Sequence, residues 1–469
     1  MSIFLDRPCA SLLAVFVSWK AFLLFLAVCS PGPAYDTSTT LLELFRNTSE
    51  TDHDGSLRAA LGLVSDKLTR WDAIYFTEVA RRGYMFEQEW AFSFGFTSLI
   101  RAIADALQRA AAVNLSFLQD VVGITIAHAA HGMSVWVLYS LAHAVFPGMQ
   151  GRRLAFIAAC LHIFSPAGLF LSAPYGESTH ALLSFTGSLL FVQSFGRSKT
   201  STGLQDALLP LSGVMYGLAT TVRSNGLLNG MLFFEEAIRL LYSMTGRVTF
   251  AKTRRLIAIG VAGVFTALGF VTPQYIAYRQ FCMNRTESRL WCRRTLPSIY
   301  SFVQDHYWDN GLLRYWTLSN VPLFALACPM LAIMTYSALW TLGVNPYRQN
   351  SGDAHDSSTA LVHPHAQLTG RLLRSLAAPQ ITLAILTFLK HHVQIITRMS
   401  SGYPVWYFWI AYVLVEGHSL ASSGRAAVRL DKEEASITGQ YKYARMTVGY
   451  MIGYAAIQGA LFASFLPPA

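Results

Sequence analysis

The sequence predicts an all-α polytopic membrane protein with about eleven transmembrane helices. Of its 469 residues, 53% are apolar and only 13% are charged, whereas soluble proteins average about 25% charged residues. The mean hydropathy is positive, at +0.37. The apolar residues form long continuous runs, which disfavours an outer-membrane β-barrel, whose strands alternate apolar and polar residues. A soluble multidomain enzyme, a disordered chain and a disulfide scaffold are excluded by this composition.

The first apolar run extends from about residue 10 to residue 29. It is longer than the apolar core of a cleaved signal peptide, and no convincing small-residue cleavage site follows it. We therefore predict a retained signal-anchor helix within residues 1–30, with a cleaved signal peptide as the alternative.

Ten further apolar stretches begin near Val121, Leu154, Thr179, Ala207, Leu227, Leu256, Val321, Leu376, Val405 and Met446. The two stretches between residues 207 and 230 form either one long helix or two. Because a charge at mid-bilayer costs several kcal/mol, a break at Arg223 is favoured. We predict a transmembrane bundle over residues 119–342 and further transmembrane helices over 376–469. The polar segment 343–375 between them is predicted to be a flexible cytoplasmic loop.

The basic residues predict the orientation in the membrane. With a cytoplasmic N-terminus, most Lys and Arg residues fall in cytoplasmic loops, as the positive-inside rule requires. The net charge of +10 then reflects these loops rather than nucleic-acid binding. Residues 31–118 become the first lumenal loop.

Sequons and cysteines agree with this orientation. The sequons at Asn47, Asn114 and Asn284 all lie in predicted lumenal loops. We predict glycosylation at Asn47 and Asn284, whereas Asn114 is too close to the membrane. Cys282 and Cys292 share one lumenal loop and are predicted to form a disulfide. Two free thiols are the alternative.

Carboxylates interleave with aromatic residues in the first lumenal loop. The two densest segments read Arg70-Trp71-Asp72-Ala73-Ile74-Tyr75-Phe76 and Glu87-Gln88-Glu89-Trp90-Ala91-Phe92. Aromatic rings prefer the membrane interface and offer flat faces to a sugar, while a carboxylate can accept a hydroxyl proton. This composition is typical of a sugar site at a membrane surface. An interfacial helix anchored by its aromatic residues is the alternative.

Other polar clusters lie on the same predicted side. They are Ser172–Ser178, Arg223–Gly226, Tyr307–Gly311 and His391–Arg398. Polar groups near bilayer depth are expensive to insert and usually functional. Their position on one side indicates a lumenal catalytic surface rather than a transmembrane conduit.

These motifs resemble those of the GPI mannosyltransferase 2 family. The resemblance rests on Trp71-Asp72-x-Ile74-Tyr75-Phe76, Glu87-x-Glu89-Trp90-Ala91-Phe92, Ser172-Ala173-Pro174-Tyr175-x-Glu177-Ser178, Arg223-Ser224-Asn225-Gly226, Tyr315-Trp316 and His392-Val393-Gln394-x-x-Thr397-Arg398, in that order. One departure is Ser93-Phe94-Gly95, where many relatives have a proline.

The resemblance implies a GT-C-like bundle in the endoplasmic reticulum membrane with a lumenal active site. It implies dolichyl-phosphate mannose as the donor and a mono-mannosylated GPI precursor as the acceptor. The product would carry an α-1,6-linked second mannose, formed with inversion. A small membrane partner subunit is plausible, and no nucleic acid is expected.

Inverting transfer needs a general base and a stabiliser for the departing phosphate. Asp72 is our candidate for the base; its alternative role is to cap the helix that follows. The candidates for binding donor phosphate or sugar are Arg398, Arg223, His392, Gln394, Trp71, Tyr75, Glu87, Glu89 and Glu177. Among these, Glu87 and Glu89 are the next candidates for the base, and either could instead hold the loop.

Each other candidate also has a structural alternative. Arg398 and Arg223 match a phosphate geometrically, but each could be an interfacial arginine that reaches the head groups. His392 could make a structural hydrogen bond, and Glu177 could orient an arginine.

No cofactor is expected, and no metal site is predicted. His128 and His131 share a helix face but lack an acidic or cysteine partner nearby in sequence. Two other functions stay open: another GT-C transferase, which builds the N-glycan precursor or mannosylates protein, and a lipid transporter or scramblase. A transporter would place charges on both sides of the midplane.

Overall fold

The computed structural model describes residues 6–32, 56–111, 115–196, 202–283, 289–343, 359–422 and 432–466. These residues form α-helices joined by short turns, with no β-strand among them. The helices are α1 Pro8–Cys29, α2 Ser56–Leu68, α3 Asp72–Arg82, α4 Phe94–Ala111, α5 Leu118–Val145, α6 Gly148–Ile163, α7 Glu177–Gln193, α8 Thr202–Val222, α9 Gly230–Met244, α10 Phe250–Phe281, α11 Ile299–His306, α12 Val321–Gly343, α13 Thr359–Lys390, α14 Ile396–Met399, α15 Val405–Ser422 and α16 Lys432–Ala463.

Six helices in the described part are long and apolar enough to cross a membrane. They are α1, α5, α10, α12 with its preceding turn, α13 from Gln367 onward and α16 from Gly439 onward. The predicted all-α polytopic membrane fold is therefore confirmed. The other five predicted stretches lie in α6, α7, α8, α9 and α15, which fall short in length or apolar content. The count of about eleven spans stays a prediction.

The chain breaks at Arg223, as its charge predicts. Helix α8 ends at Val222, a 3₁₀ turn covers Ser224–Asn229, and α9 begins at Gly230. The backbone of Arg223 is extended, with φ −146°. This break releases the guanidinium from the helix so that it reaches a carboxylate on another helix.

Helix α13 begins earlier than predicted. It starts at Thr359, so the expected flexible loop 343–375 is helical from that residue onward. Leu372 and Leu373 are buried, because the helix packs on its neighbours before the continuous apolar run starts. A search for continuous apolar runs cannot detect a helix that begins with polar residues.

Two large apolar cores organise the bundle. One core contains residues of α5, α6, α7, α8, α9, α12, α13 and α15. The other contains residues of α1, α3, α4, α5, α6 and α16. Helices α8 and α10 cross closely, since a Cβ on Gly269 would lie 2.1 Å from the Gly217 carbonyl oxygen. Small residues permit this approach, which brings α10 to the break at Arg223.

Residues 56–111 of the predicted first lumenal loop form α2, α3, a 3₁₀ turn over Glu87–Ala91, and α4. A third core joins this region to residues 277–303 through Trp90, Trp291 and Phe302. The sequons at Asn47, Asn114 and Asn284 lie outside the described residues, so glycosylation stays a prediction.

Candidate active site

A cavity of about 520 Å³ lies at the end of the bundle where the charged motifs meet. Its charged lining comes from the start of α3, the break after α8, and the turns after α13. The charged and imidazole groups among its lining residues are Asp72, Arg223, His391, His392 and Arg398. Its apolar lining includes Phe270 and Pro273 of α10 and Leu383 and Leu386 of α13. The cavity therefore combines a charged end with walls supplied by two long helices that could span a membrane.

Asp72 is the first residue of α3 and follows a strained backbone position. Trp71 has φ +58°, a conformation that costs energy for a residue with a large side chain. Trp71 occupies the N-cap position without a side-chain cap hydrogen bond. The Asp72 carboxylate accepts a hydrogen bond from Arg398 Nη1 at 3.0 Å. This contact to a residue far away in sequence favours a site role over the helix-capping alternative.

Arg398 lies between two carboxylates. Its Nε is 3.7 Å from Glu177 Oε1, while Nη1 contacts Asp72. Burial opposes ionisation, but the charges of Asp72 and Glu177 raise the pKa of Arg398 above its usual range. The guanidinium therefore stays charged at any physiological pH.

Glu177 connects the two arginines. Arg223 Nη1 donates to Glu177 Oε1 at 2.8 Å, the same oxygen that lies near Arg398. The Glu177 side chain is only 1% exposed, whereas both arginines are partly exposed to the cavity. Glu177 thus holds Arg223 and Arg398 at one side of the cavity, as its orienting alternative predicts.

Aromatic rings fix the position of Arg398. Its guanidinium lies 5.1 Å from the ring centre of Phe170 and 5.6 Å from that of Tyr175. Both rings are buried. Such cation–π contacts restrict the guanidinium without occupying its hydrogen-bond donors, so the donors that do not contact Asp72 or Glu177 stay available to an anion.

His392 and Gln394 are connected through Tyr315 beside the cavity. His392 Nε2 lies 3.0 Å from the Trp308 carbonyl oxygen, and its ring stacks on Tyr315. Tyr315 in turn donates to Gln394 Oε1 at 3.0 Å. His392 lines the cavity and Gln394 does not, so Gln394 acts on the cavity through Tyr315.

Comparison with known proteins identifies the family. Over residues 9–469 the sequence matches the family described as Mannosyltransferase (PIG-V). The chain belongs to this family. Similar proteins named GPI mannosyltransferase 2 come from Gibberella zeae, 39% identical over 99% of this chain and 98% of that protein, and from Chaetomium globosum, 42% identical over 99% and 97%. The predicted family resemblance is confirmed, and the mannosyltransferase is an enzyme rather than a transporter.

Two solved structures are similar to this chain, each with a TM-score below 0.5 and low sequence identity. The oligosaccharyltransferase AglB from Archaeoglobus fulgidus, in complex with an inhibitory peptide and a dolichol-phosphate, has a TM-score of 0.46 and 12% identity, with 97% of this chain and 56% of that chain covered. This chain thus spans about half the length of that protein. ArnT from Cupriavidus metallidurans has a TM-score of 0.39 and 11% identity, with 98% and 76% covered.

Glu87 and Glu89 hold the loop of this mannosyltransferase together. Glu89 pairs with Arg82 and accepts the backbone N–H of Met85 at 2.8 Å and of Phe86 at 3.1 Å. Glu87 accepts from Trp291 Nε1 at 2.8 Å. Both carboxylates are buried and neither lines the cavity. Their contacts favour the loop-holding alternative over the role of base.

The predicted aromatic residues lie next to the cavity rather than in its lining. Trp71 stacks on Phe465, and Tyr75 stacks on Phe92. Phe92 and Trp308 line the cavity instead. A sugar contact by Trp71 or Tyr75 stays a prediction.

Sequence reasoning missed three cavity residues with unpaired polar atoms. Trp90 Nε1, Ser93 Oγ and Asn225 Oδ1 are buried and have no hydrogen-bond partner among the described residues. All three residues line the cavity. Buried polar atoms normally have partners, so these three are available to a ligand. Each lies within or beside a motif noted above, but no sequence pattern indicates which side-chain atoms stay unpaired.

Cys282 and Cys292 are joined in the structure. Their sulfur atoms are bonded, and their Cα atoms lie 5.6 Å apart. The bridge closes the segment that begins at the end of α10, and both cysteines pack on the third core. His128 and His131 lie on α5 away from the cavity lining, where His128 Nδ1 contacts the Ile124 carbonyl oxygen at 2.9 Å.

Proposed function

We propose that this mannosyltransferase transfers mannose from dolichyl-phosphate mannose to the mono-mannosylated GPI precursor. The product carries an α-1,6-linked second mannose, made in the lumen of the endoplasmic reticulum. The relatives named GPI mannosyltransferase 2 match nearly the whole chain, which supports this reaction. The observation that carries the proposal is the meeting of Asp72, Arg398 and Arg223 in one cavity.

The two arginines bind the phosphate of the donor. Arg398 and Arg223 are charged, partly exposed and held by Glu177. Guanidinium groups match phosphate oxygens in geometry and charge. As the bond between mannose C1 and the phosphate oxygen breaks, negative charge grows on dolichyl phosphate, and the arginines stabilise it.

Asp72 accepts the proton of the acceptor hydroxyl. The hydroxyl oxygen attacks C1 from the face opposite the phosphate, so the β-linked donor gives an α-linked product. One C–O bond forms, one breaks, and the proton moves to the Asp72 carboxylate. Dolichyl phosphate is the leaving group.

The contact between Arg398 and Asp72 couples donor binding to activation of the base. Before donor binds, Arg398 Nη1 holds the carboxylate at 3.0 Å. When the donor phosphate binds this guanidinium, it replaces the Asp72 carboxylate, which can then reach the acceptor hydroxyl. The base then becomes available only when the donor is in place.

The remaining walls fit the rest of the substrates. Phe270 and Pro273 of α10, with Leu383 and Leu386 of α13, provide apolar surface for the polyprenyl chain of the donor. The unpaired atoms of Trp90, Ser93 and Asn225 can bind sugar hydroxyls. Aromatic rings of Phe92 and Trp308 can pack on a sugar face.

We further propose that transfer needs no metal ion, because two arginines supply the positive charge that a phosphate monoester requires. Treatment with EDTA should leave the rate unchanged, and a rate restored only by added divalent cation would contradict this. A small membrane partner subunit, as the family resemblance implies, stays a prediction.

The test is transfer by the purified protein. Radiolabelled dolichyl-phosphate mannose and a mono-mannosylated glucosaminyl-phosphatidylinositol should give a lipid with one more mannose. GDP-mannose, offered alone as donor, should give none. Transfer from GDP-mannose but not from the lipid donor would refute the proposed donor.

A further inference from the structure

A second cavity of about 460 Å³ lies beside the first. The two share a wall formed by Tyr300, Ser301, Gln304, Asn310 and His391. The mechanism above uses none of the residues found only in the second cavity, which include two basic side chains.

Lys390 and Arg314 are the basic residues that line this cavity, and Asp305 is its acidic lining residue. Arg314 Nη1 contacts Asp305 Oδ1 at 2.6 Å and Asp309 Oδ1 at 3.2 Å. Lys390 forms no ion pair with any residue in the described ranges. Burial lowers the pKa of His391 to about 4, and the charge of Lys390 adds to this effect, so His391 is neutral. Lys390 is thus the available cation.

The second cavity lies at the level where a membrane span ends. Lys390 is the last residue of α13. Trp316 Nε1 donates to the Phe388 carbonyl oxygen at 2.9 Å, and the nearby side chains of Leu312 and Leu318 are 71% and 92% exposed. Exposed apolar residues with a tryptophan at the end of a span are typical of the lipid head-group region.

The loop that carries Arg314 is fixed to the same helix end. The Leu313 N–H donates to the Leu389 carbonyl oxygen at 2.7 Å. Leu313 has φ +58° and Asp309 has φ +47°, conformations that persist only when the surroundings enforce them. The loop therefore holds Arg314 on the same cavity as Lys390.

We propose that the second cavity binds the phosphodiester of the glycolipid acceptor, with Lys390 as its cationic contact. This rests on the proposed function, which gives the acceptor a phosphate separated by sugar units from the attacking hydroxyl. The donor phosphate is bound by Arg398 and Arg223 in the first cavity. An acceptor that enters from the membrane therefore needs a separate anion site close by, and the shared wall gives its sugars a path to Asp72.

The first experiment compares wild type with Lys390→Gln in mannosyl transfer. Loss of a charged contact to phosphate should raise the KM for the acceptor about tenfold. The kcat and the KM for dolichyl-phosphate mannose should not change. Lys252→Gln is the matched control, because Lys252 Nζ contacts backbone oxygens of Ser243 and Arg247 and lines neither cavity.

The second experiment measures binding by calorimetry and needs no turnover. The probes are the soluble head group mannosyl-glucosaminyl-inositol phosphate, the same head group without phosphate, and inorganic phosphate. Wild type should bind the phosphorylated head group about tenfold more tightly than the other two. Lys390→Gln should lose this preference.

Four results would overturn the inference. In calorimetry, two of them are a preference for the phosphorylated head group that survives in Lys390→Gln, and inorganic phosphate that binds as well as that head group. In the transfer assay, a third is an increase in the KM for the donor instead of the acceptor. The fourth is a lower melting temperature of Lys390→Gln with an unchanged KM for the acceptor. The last would mean that Lys390 only favours the end of α13. Absence of transfer by wild type would instead refute the proposed function, and the calorimetry would still decide the inference.

Discussion

Replacing Asp72 by Asn removes the proposed base with little change in shape. The amide cannot accept the proton of the acceptor hydroxyl, and general base catalysis typically contributes about 10²- to 10⁴-fold in rate. The barrier should therefore rise by about 3–5 kcal/mol. Donor KM should not rise, because Arg398 keeps its contact with Glu177 and no longer has to leave the Asp72 carboxylate.

The structure predicts that this variant folds. The Asp72 side chain is 37% exposed, and a partly exposed ion pair contributes at most about 1 kcal/mol to stability. Glu78→Gln is the matched control, since Glu78 lies on the same helix, pairs with Arg81 at 2.6 Å and does not line the cavity. Single-turnover transfer of labelled mannose, with a melting curve for each protein, measures both effects. A well-folded Asp72→Asn protein with near-normal turnover would refute the assignment, and Glu87 or Glu89 would have to be reconsidered.

Three further predictions follow from other contacts. Arg398→Lys keeps the positive charge but loses the planar pair of N–H donors, so kcat/KM for the donor should fall about 30-fold. An unchanged kcat/KM would exclude a contact between Arg398 and the donor phosphate. Glu89→Gln removes a buried charged partner of Arg82 and should lower the free energy of unfolding by about 3 kcal/mol. The folded fraction of this variant should keep the wild-type kcat. A loss of kcat with unchanged stability would give Glu89 a role in the reaction. Cys282 and Cys292 should resist maleimide in unreduced, denatured protein, and labelling of both would contradict the disulfide.

Much of the helical framework could be predicted from apolar runs. Each run falls in a helix, and the break at Arg223 followed from the cost of burying a charge. The early start of α13 at Thr359 could not be predicted this way, because the segment before Leu376 is not a continuous apolar run, although Thr369, Leu372 and Leu373 in it are buried. For residues 56–111 the sequence predicts an interfacial helix only as an alternative, because the aromatic residues that would anchor such a helix are also typical of a sugar site.

The charged residues of the site were identified from motifs, but their pairing was not. Asp72 and Arg398 lie 326 positions apart, and only the packing of the bundle shows that they touch. Glu177 was a candidate for orienting an arginine, and the structure shows that it contacts two. Glu87 and Glu89 are the next candidates for the base after Asp72 in the sequence. Their hydrogen bonds to Trp291 and to backbone N–H groups distinguish them.

The binding site of the donor phosphate can be observed in a cryo-EM structure with a non-transferable phosphonate analogue of dolichyl-phosphate mannose. The phosphonate oxygens should lie about 3 Å from the Arg398 guanidinium, with the polyprenyl chain along α10 and α13. The Asp72 carboxylate should have separated from Arg398 and should face the bound sugar. A phosphonate bound elsewhere, with the contact between Arg398 and Asp72 intact, would show that Arg398 does not bind the donor phosphate.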